Sequence, residues 1–145
     1  MTSASIAIQD LLLARIQGDT SPYLQALTDA QQIRPSSDQQ DPPMGAAAVI
    51  VEVTDQGSHL GLPGRVLVDV SAQVEVRTSL AEDKGMEDFQ AIFQAVHAVL
   101  EAIPKDTEAT GWTIRHISPW TETAISQDSL YRIQSLSATF LLQTQ

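Results

Sequence analysis

The chain has 145 residues, 43% of them hydrophobic and 18% charged, and no cysteine. A chain of this length buries roughly 70% of the surface that its unfolded form exposes, so one core is expected and wholesale disorder is excluded, as are disulfides and thiolate metal sites. Eight basic against 18 acidic side chains give a formal charge of −10, a field that repels phosphate and argues against nucleic-acid recognition.

In chain order, Ile6, Leu12, Leu13 and Ile16 fit a helix from Ser3 to about Ile16, capped by Thr2 or Ser3 and ended by Gly18. A second, short helix is expected from Ser21, because serine at the N-cap followed by Pro22 at the first helical position leaves no helical donor wasted. Tyr23, Leu24 and Leu27 are its expected buried contacts. The polar stretch Gln31 to Pro43 holds Pro35, Pro42 and Pro43 and no periodicity, which predicts an extended connector.

Val49, Val51 and Val53 mark a first strand. In a second, Val66, Val68, Val70, Ala72, Val74 and Val76 alternate with Arg65, Leu67, Asp69, Ser71, Gln73, Glu75 and Arg77. This period of two describes a strand with one buried and one largely wet face. Between them, TDQGSHLGLPG from Thr54 to Gly64 suits a hairpin tip of more than two residues. It is a poor phosphate loop, since it lacks the terminal Lys-Ser/Thr pair and no helix follows.

Helix signals return at Glu82, and Met86, Phe89, Ile92, Phe93, Val96, Leu100 and Ile103 form an apolar stripe wide enough to cover a sheet. Glu82, Asp83, Glu87 and Asp88 lie where negative charge meets the positive end of the helix dipole. Adjacent pairs on a helix point apart, so capping and solvation outweigh a divalent metal site. Pro104 stops the helix. Trp112, Ile114 and His116 suggest a third strand, Ser118 to Asp128 a loop, and Leu130 to Leu142 a long final strand, bulged or bent where the apolar register shifts between Ile133 and Leu136. The order predicts an α+β fold: an antiparallel or mixed four-stranded sheet with one long helix packed on a face and additional N-terminal helices. Residues 1–145 read as a single domain, with N-terminal helices over 1–34, a connector over 35–45 and an α+β core over 46–142.

Chemistry-bearing residues are few. His59, His97 and His116 fall on a loop, a helix and a strand, and His97 sits at the edge of the apolar stripe, where a structural histidine is the common outcome. No cysteine is present to act as nucleophile, and the serines lack a G-x-S-x-G elbow, so no catalytic residue, cofactor or metal is expected. Trp112 is explained by burial against the sheet. Trp120, after Pro119 in a polar loop, is the better candidate for contact with a partner. No apolar run reaches the length of a membrane span and no basic region precedes one at the N-terminus, so neither a transmembrane helix nor a signal peptide is expected and the cytoplasm is the default location.

The segments AAAVIVEV, GRVLVDVSAQVEVRT, GMEDFQAIFQAVHAVLEAIP, GWTIRHISPW and SLYRIQSLSATFLLQ, following an N-terminal helix, resemble the small tail-terminator or tail-completion proteins, minor tail proteins of tailed bacteriophages. The resemblance covers about residues 46 to 142 and rests on element order, lengths and texture. It implies a non-enzymatic virion protein, assembled in the host cytoplasm, that forms a homo-oligomeric ring, usually a hexamer. Such a ring caps the tail tube and presents a surface to the head-side neck or connector proteins, and DNA passes through it without sequence-specific binding. An acidic lumen suits that passage, although solubility already accounts for the charge. A ring of one chain needs two different patches on each subunit. The candidate interface is the hairpin tip, Gly57, Ser58, His59, Leu60, Gly61 and Leu62, together with Trp120 on the 118–128 loop. The longer N-terminal portion, Ser3 to Pro43, departs from the commoner family pattern. Two other classes compete: a small non-enzymatic α+β adaptor binding a cellular protein, and a small enzyme built on converging His97, His116 and acidic residues.

Overall fold

Ser3 begins the first helix, α1 (Ala4–Gln17): its hydroxyl accepts the Ile6 N–H at 3.3 Å, satisfying one of the donors that a helix start leaves open. The computed structural model describes residues 2–38, 46–60, 64–82 and 86–145, with His59 and Leu60 described by their backbone alone. Helix α1 buries Ala4, Ala7, Ile8, Leu12 and Ile16, one face at three- and four-residue spacing. A second helix, α2 (Pro22–Asp29), carries proline at its start and buries Leu24 and Leu27. Tyr23, expected inside, is 44% exposed. The third helix, α3 (Glu87–Glu101), turns Phe89, Ile92, Phe93, Val96 and Leu100 into the same core.

The strands are β1 (Ile33–Pro35), β2 (Ala47–Leu60), β3 (Val66–Ser79), β4 (Glu108–Ala109), β5 (Trp112–Ile117), β6 (Thr121–Glu122), β7 (Ser126–Gln127) and β8 (Tyr131–Thr144). They form one sheet in the order β1-β2-β3-β8-β5-β4, with β6 and β7 also paired to β8. β1 runs parallel to β2 and the other pairings are antiparallel. β3 lies between β2 and β8, and Val70, Ala72, Val74 and Val76 point into the core opposite Leu136, Ala138 and Phe140 of β8. At the start of β2 both faces are covered, since Ala48 and Ile50 are buried as well as Val49 and Val51. That accounts for an apolar run in which the alternation is lost.

Helix α1 is tied down at both ends. The indole N–H of Trp112 on β5 donates to the Thr2 carbonyl at 2.8 Å, Ser5 Oγ donates to Asp55 of β2 at 3.3 Å, and the Gln17 amide donates to the Ile33 carbonyl of β1 at 3.1 Å.

The expected four-stranded sheet with one long helix is not what this chain forms. Among the described residues the sheet has eight strands and is mixed, and α1 with 14 residues nearly equals α3 with 15. Four of the strands span two or three residues, too short to show any periodicity. β1 and the 3-10 turn Ser36–Asp38 occupy part of the expected connector, while residues 39–45 lie outside the described residues. The supposed tip Thr54 to Gly64 is strand as far as Leu60. Gln127 to Trp112 lies along β8 as an interrupted strand, so the expected 118–128 loop holds β6 and β7. The bulge expected within β8 is absent, because its pairing with β3 runs unbroken from Tyr131 to Gln143. Register shifts occur between Asp55 and Gly57 on β2 and between Ile114 and His116 on β5.

Candidate functional site

Both ends of the sheet are only partly covered, and this sets the surfaces through which the chain can assemble. β1 pairs with β2 only as far as Val51, so among the described residues no strand covers the outer edge of β2 from Glu52 to Leu60. The Val49 N–H donates to the Gln32 carbonyl on the β1 side, and the two-residue alternation places the Val53 N–H on that same outer side. Glu52, Thr54, Asp55, Gln56, Gly57 and Ser58 are exposed. Gly57 sits in the bulge with φ +143°, a conformation that L side chains rarely adopt, and its neighbours leave room for a side chain, so backbone geometry and not space requires glycine there.

At the opposite end, β4 pairs with Trp112 and Thr113 of β5, and backbone bonds from Asp106 and Thr107 continue to Ile114. Past Ile114 the outer edge of β5 is open among the described residues. Beside it lies a cleft of about 460 Å³ floored by Leu100, Ile103, Ile117 and Trp120 and rimmed by Lys105 and His116. Arg115 donates to the Gln143 side chain at 2.7 Å and lies 3.5 Å from Asp106. Lys105 and His116 are exposed, with no hydrogen bond or ion pair among the described residues.

The segment carrying β6 and β7 lies along β8 and against α3. Ser118 and Thr123 stitch it to the β8 backbone: the Ser118 N–H donates to the Thr139 carbonyl at 2.9 Å and the Thr139 N–H returns to Ser118 Oγ at 2.8 Å, while Thr123 and Ser135 exchange bonds of the same kind. Pro119, which has no N–H, interrupts the ladder. His97 of α3 fastens this segment from the other side, its imidazole lying between Glu101 at 2.7 Å and Glu122 of β6 at 3.1 Å. The Glu101 approach lacks hydrogen-bond alignment. The two carboxylates flank opposite ring nitrogens and do not converge on one point. Among the described residues no group of three or more His, Asp or Glu side chains is arranged to hold a metal ion.

The interface candidates read from sequence separate. Gly57 and Ser58 lie on the open β2 edge, where the backbone of His59 and Leu60 continues the strand. Gly61 and Leu62 lie outside the described residues. Trp120 is half-buried at the other end of the sheet, its ring edge-on to Phe140 at 5.8 Å. His97 and His116 do not share a site, His97 facing Glu122 and His116 rimming the cleft. The edge residues Glu52 and Asp55 and the cleft residue Lys105 escaped the sequence reading as surface candidates. No local signal marks them, because their place at a sheet edge becomes visible only once the strand order is known.

No protein-family model and no curated protein matches the sequence. Solved structures do share its fold. A chain from the virion of a native gene transfer agent particle superposes with TM-score 0.63 at 12% identity, over 97% of this chain and 99% of that one. A second solved structure, which carries no functional description, superposes with TM-score 0.59 at 17% identity, over 94% and 96% of the two chains. Among the described residues no helix is long and apolar enough to cross a membrane.

Proposed function

We propose that the chain is a structural virion protein of a phage-like particle, which closes the end of the tail tube as a homo-oligomeric ring of six and joins it to the neck. The observation that supports this most is the end-to-end correspondence with a chain of a gene transfer agent virion, over 97% of one chain and 99% of the other. A fold shared over nearly the whole length of both chains fits a building block of such a particle. The β2 and β5 edges, each left partly uncovered among the described residues, are two different surfaces of the kind that a cyclic assembly of one chain requires. The charge of −10 favours passage of DNA over retention of it. The partners in this reading are further copies of the chain, the tail tube protein and the head-side connector, and the location is the virion, reached after assembly in the host cytoplasm.

The decisive test is disruption of the gene in a source that makes the particles, followed by electron microscopy. Overlong or open-ended tail tubes separated from filled heads are expected. Intact, infectious or transducing particles without the protein would overturn the reading.

A further inference from the structure

His97 sits between two carboxylates in a way that a neutral imidazole does not satisfy. Its Nε2 lies 2.7 Å from Oε1 of Glu101, one turn on along α3, and its Nδ1 lies 3.1 Å from Oε1 of Glu122 on β6. A neutral ring carries one N–H and one lone pair, so either tautomer turns a lone pair towards a carboxylate, and only the imidazolium presents a proton to both. Nε2 is shielded from solvent and makes no hydrogen bond among the described residues, so solvent does not relieve a lone pair there. The other groups around the ring bring no charge that replaces the proton. Phe93 stands edge-on with ring centroids 6.3 Å apart, and Gln90, Gln94, Ile125 and Gln134 line the groove that Glu122 borders. On the cleft side Glu101 shares the lining with Lys105 and His116, and Arg132 lies over the Phe89 ring, about two helical turns before His97.

We propose that His97 is a pH-sensitive clasp: with its ring protonated it holds the β6 segment against α3 through Glu122, and loss of the proton loosens that segment beside the apolar cleft. The clasp stands independently of the ring reading above. Between about pH 5 and 8 histidine is the side chain whose ordinary titration changes its charge, so a rise through that range removes the positive charge that both carboxylates face. Glu101 and Glu122 are 61% and 47% exposed, which leaves each free to turn into solvent once the attraction is gone. The response is therefore a local opening and not an unfolding. The segment concerned carries Trp120, which packs on Phe140 and lines the cleft together with Leu100 and Glu101. Its bonds to β8 through Ser118 and Thr123 do not involve a titratable side chain, so among its described ties the contact with His97 is the one that answers to pH in this range.

The test is amide hydrogen exchange of the full-length chain, followed by NMR from about pH 5 to 8 and corrected for the intrinsic pH dependence of exchange. The Thr123 amide, which donates to the Ser135 carbonyl at 3.0 Å, reports on the segment, and the Val74 amide of β3 reports on the core. Because exposed ion pairs are screened, protection of Thr123 is expected to fall by about three-fold as the pH rises through the histidine range, while that of Val74 holds. His97→Gln is expected to flatten the response, and Glu122→Gln, at an exposed position, to flatten it as well, so the test stays readable if the first variant folds poorly. His116→Gln, which alters a second histidine close to the segment, is expected to leave the response in place. Thr123 protection that does not change with pH in the unaltered chain, or a change that persists in His97→Gln, would overturn the clasp.

Discussion

Phe140 is fully buried on β8 beneath the Trp120 ring, with strands on both sides of it. Truncation leaves a cavity that the paired backbone cannot close, so Phe140→Ala is expected to lower stability by about 3–5 kcal/mol, as measured by urea unfolding. Asp128 governs the turn into β8, where its carboxylate accepts the N–H groups of Leu130 at 2.8 Å and Tyr131 at 2.7 Å. Those two bonds, aided by the charge of Arg77, hold its pKa below the ordinary aspartate value. A carboxyl lowered on folding contributes stability that is present above the ordinary value and is lost as the pH falls through the folded one. The Leu130 and Tyr131 amide shifts, followed by NMR, should therefore show an acid transition below the ordinary aspartate range, and Asp128→Asn should abolish it. Trp120 illustrates what sequence conceals at this scale. Its polar neighbours suggested exposure, but those neighbours bond sideways to the β8 backbone and turn the indole inward.

Long elements were legible and short ones were not. The alternation from Val66 to Val76 marks a strand buried on one face, and the stripe from Phe89 to Leu100 marks α3, because each spans several periods of its own geometry. β1, β4, β6 and β7 exist through neighbours that are distant in sequence, so nothing local announces them. Their omission turned an eight-stranded mixed sheet into an expected four-stranded one. The start of α1 was legible as well, since the Ser3 cap depends only on the next three residues, and Ser3→Ala should cost about 1 kcal/mol in a denaturation series. On β2, Val53→Pro removes an outward N–H that the β3 ladder does not use. The fold should survive while self-association weakens by roughly five-fold, the equivalent of about one backbone hydrogen bond. An unfolded variant would show instead that this N–H lies within the ladder.

For the whole molecule, the overall charge of −10 opposes retention of a polyanion. Duplex DNA should accordingly show no binding at moderate salt in an anisotropy titration, and measurable affinity would contradict a passive passage. Neither edge could be located from sequence, because the strand order that brings β2 towards one end and β5 towards the other is a property of the folded sheet. The central claim is that copies of this chain close into a ring. Native mass spectrometry of the purified, full-length chain addresses it most directly, with a species at six times the 15.7 kDa subunit mass as the expected result. A stable twofold species, or a chain that remains monomeric at every concentration, would contradict it.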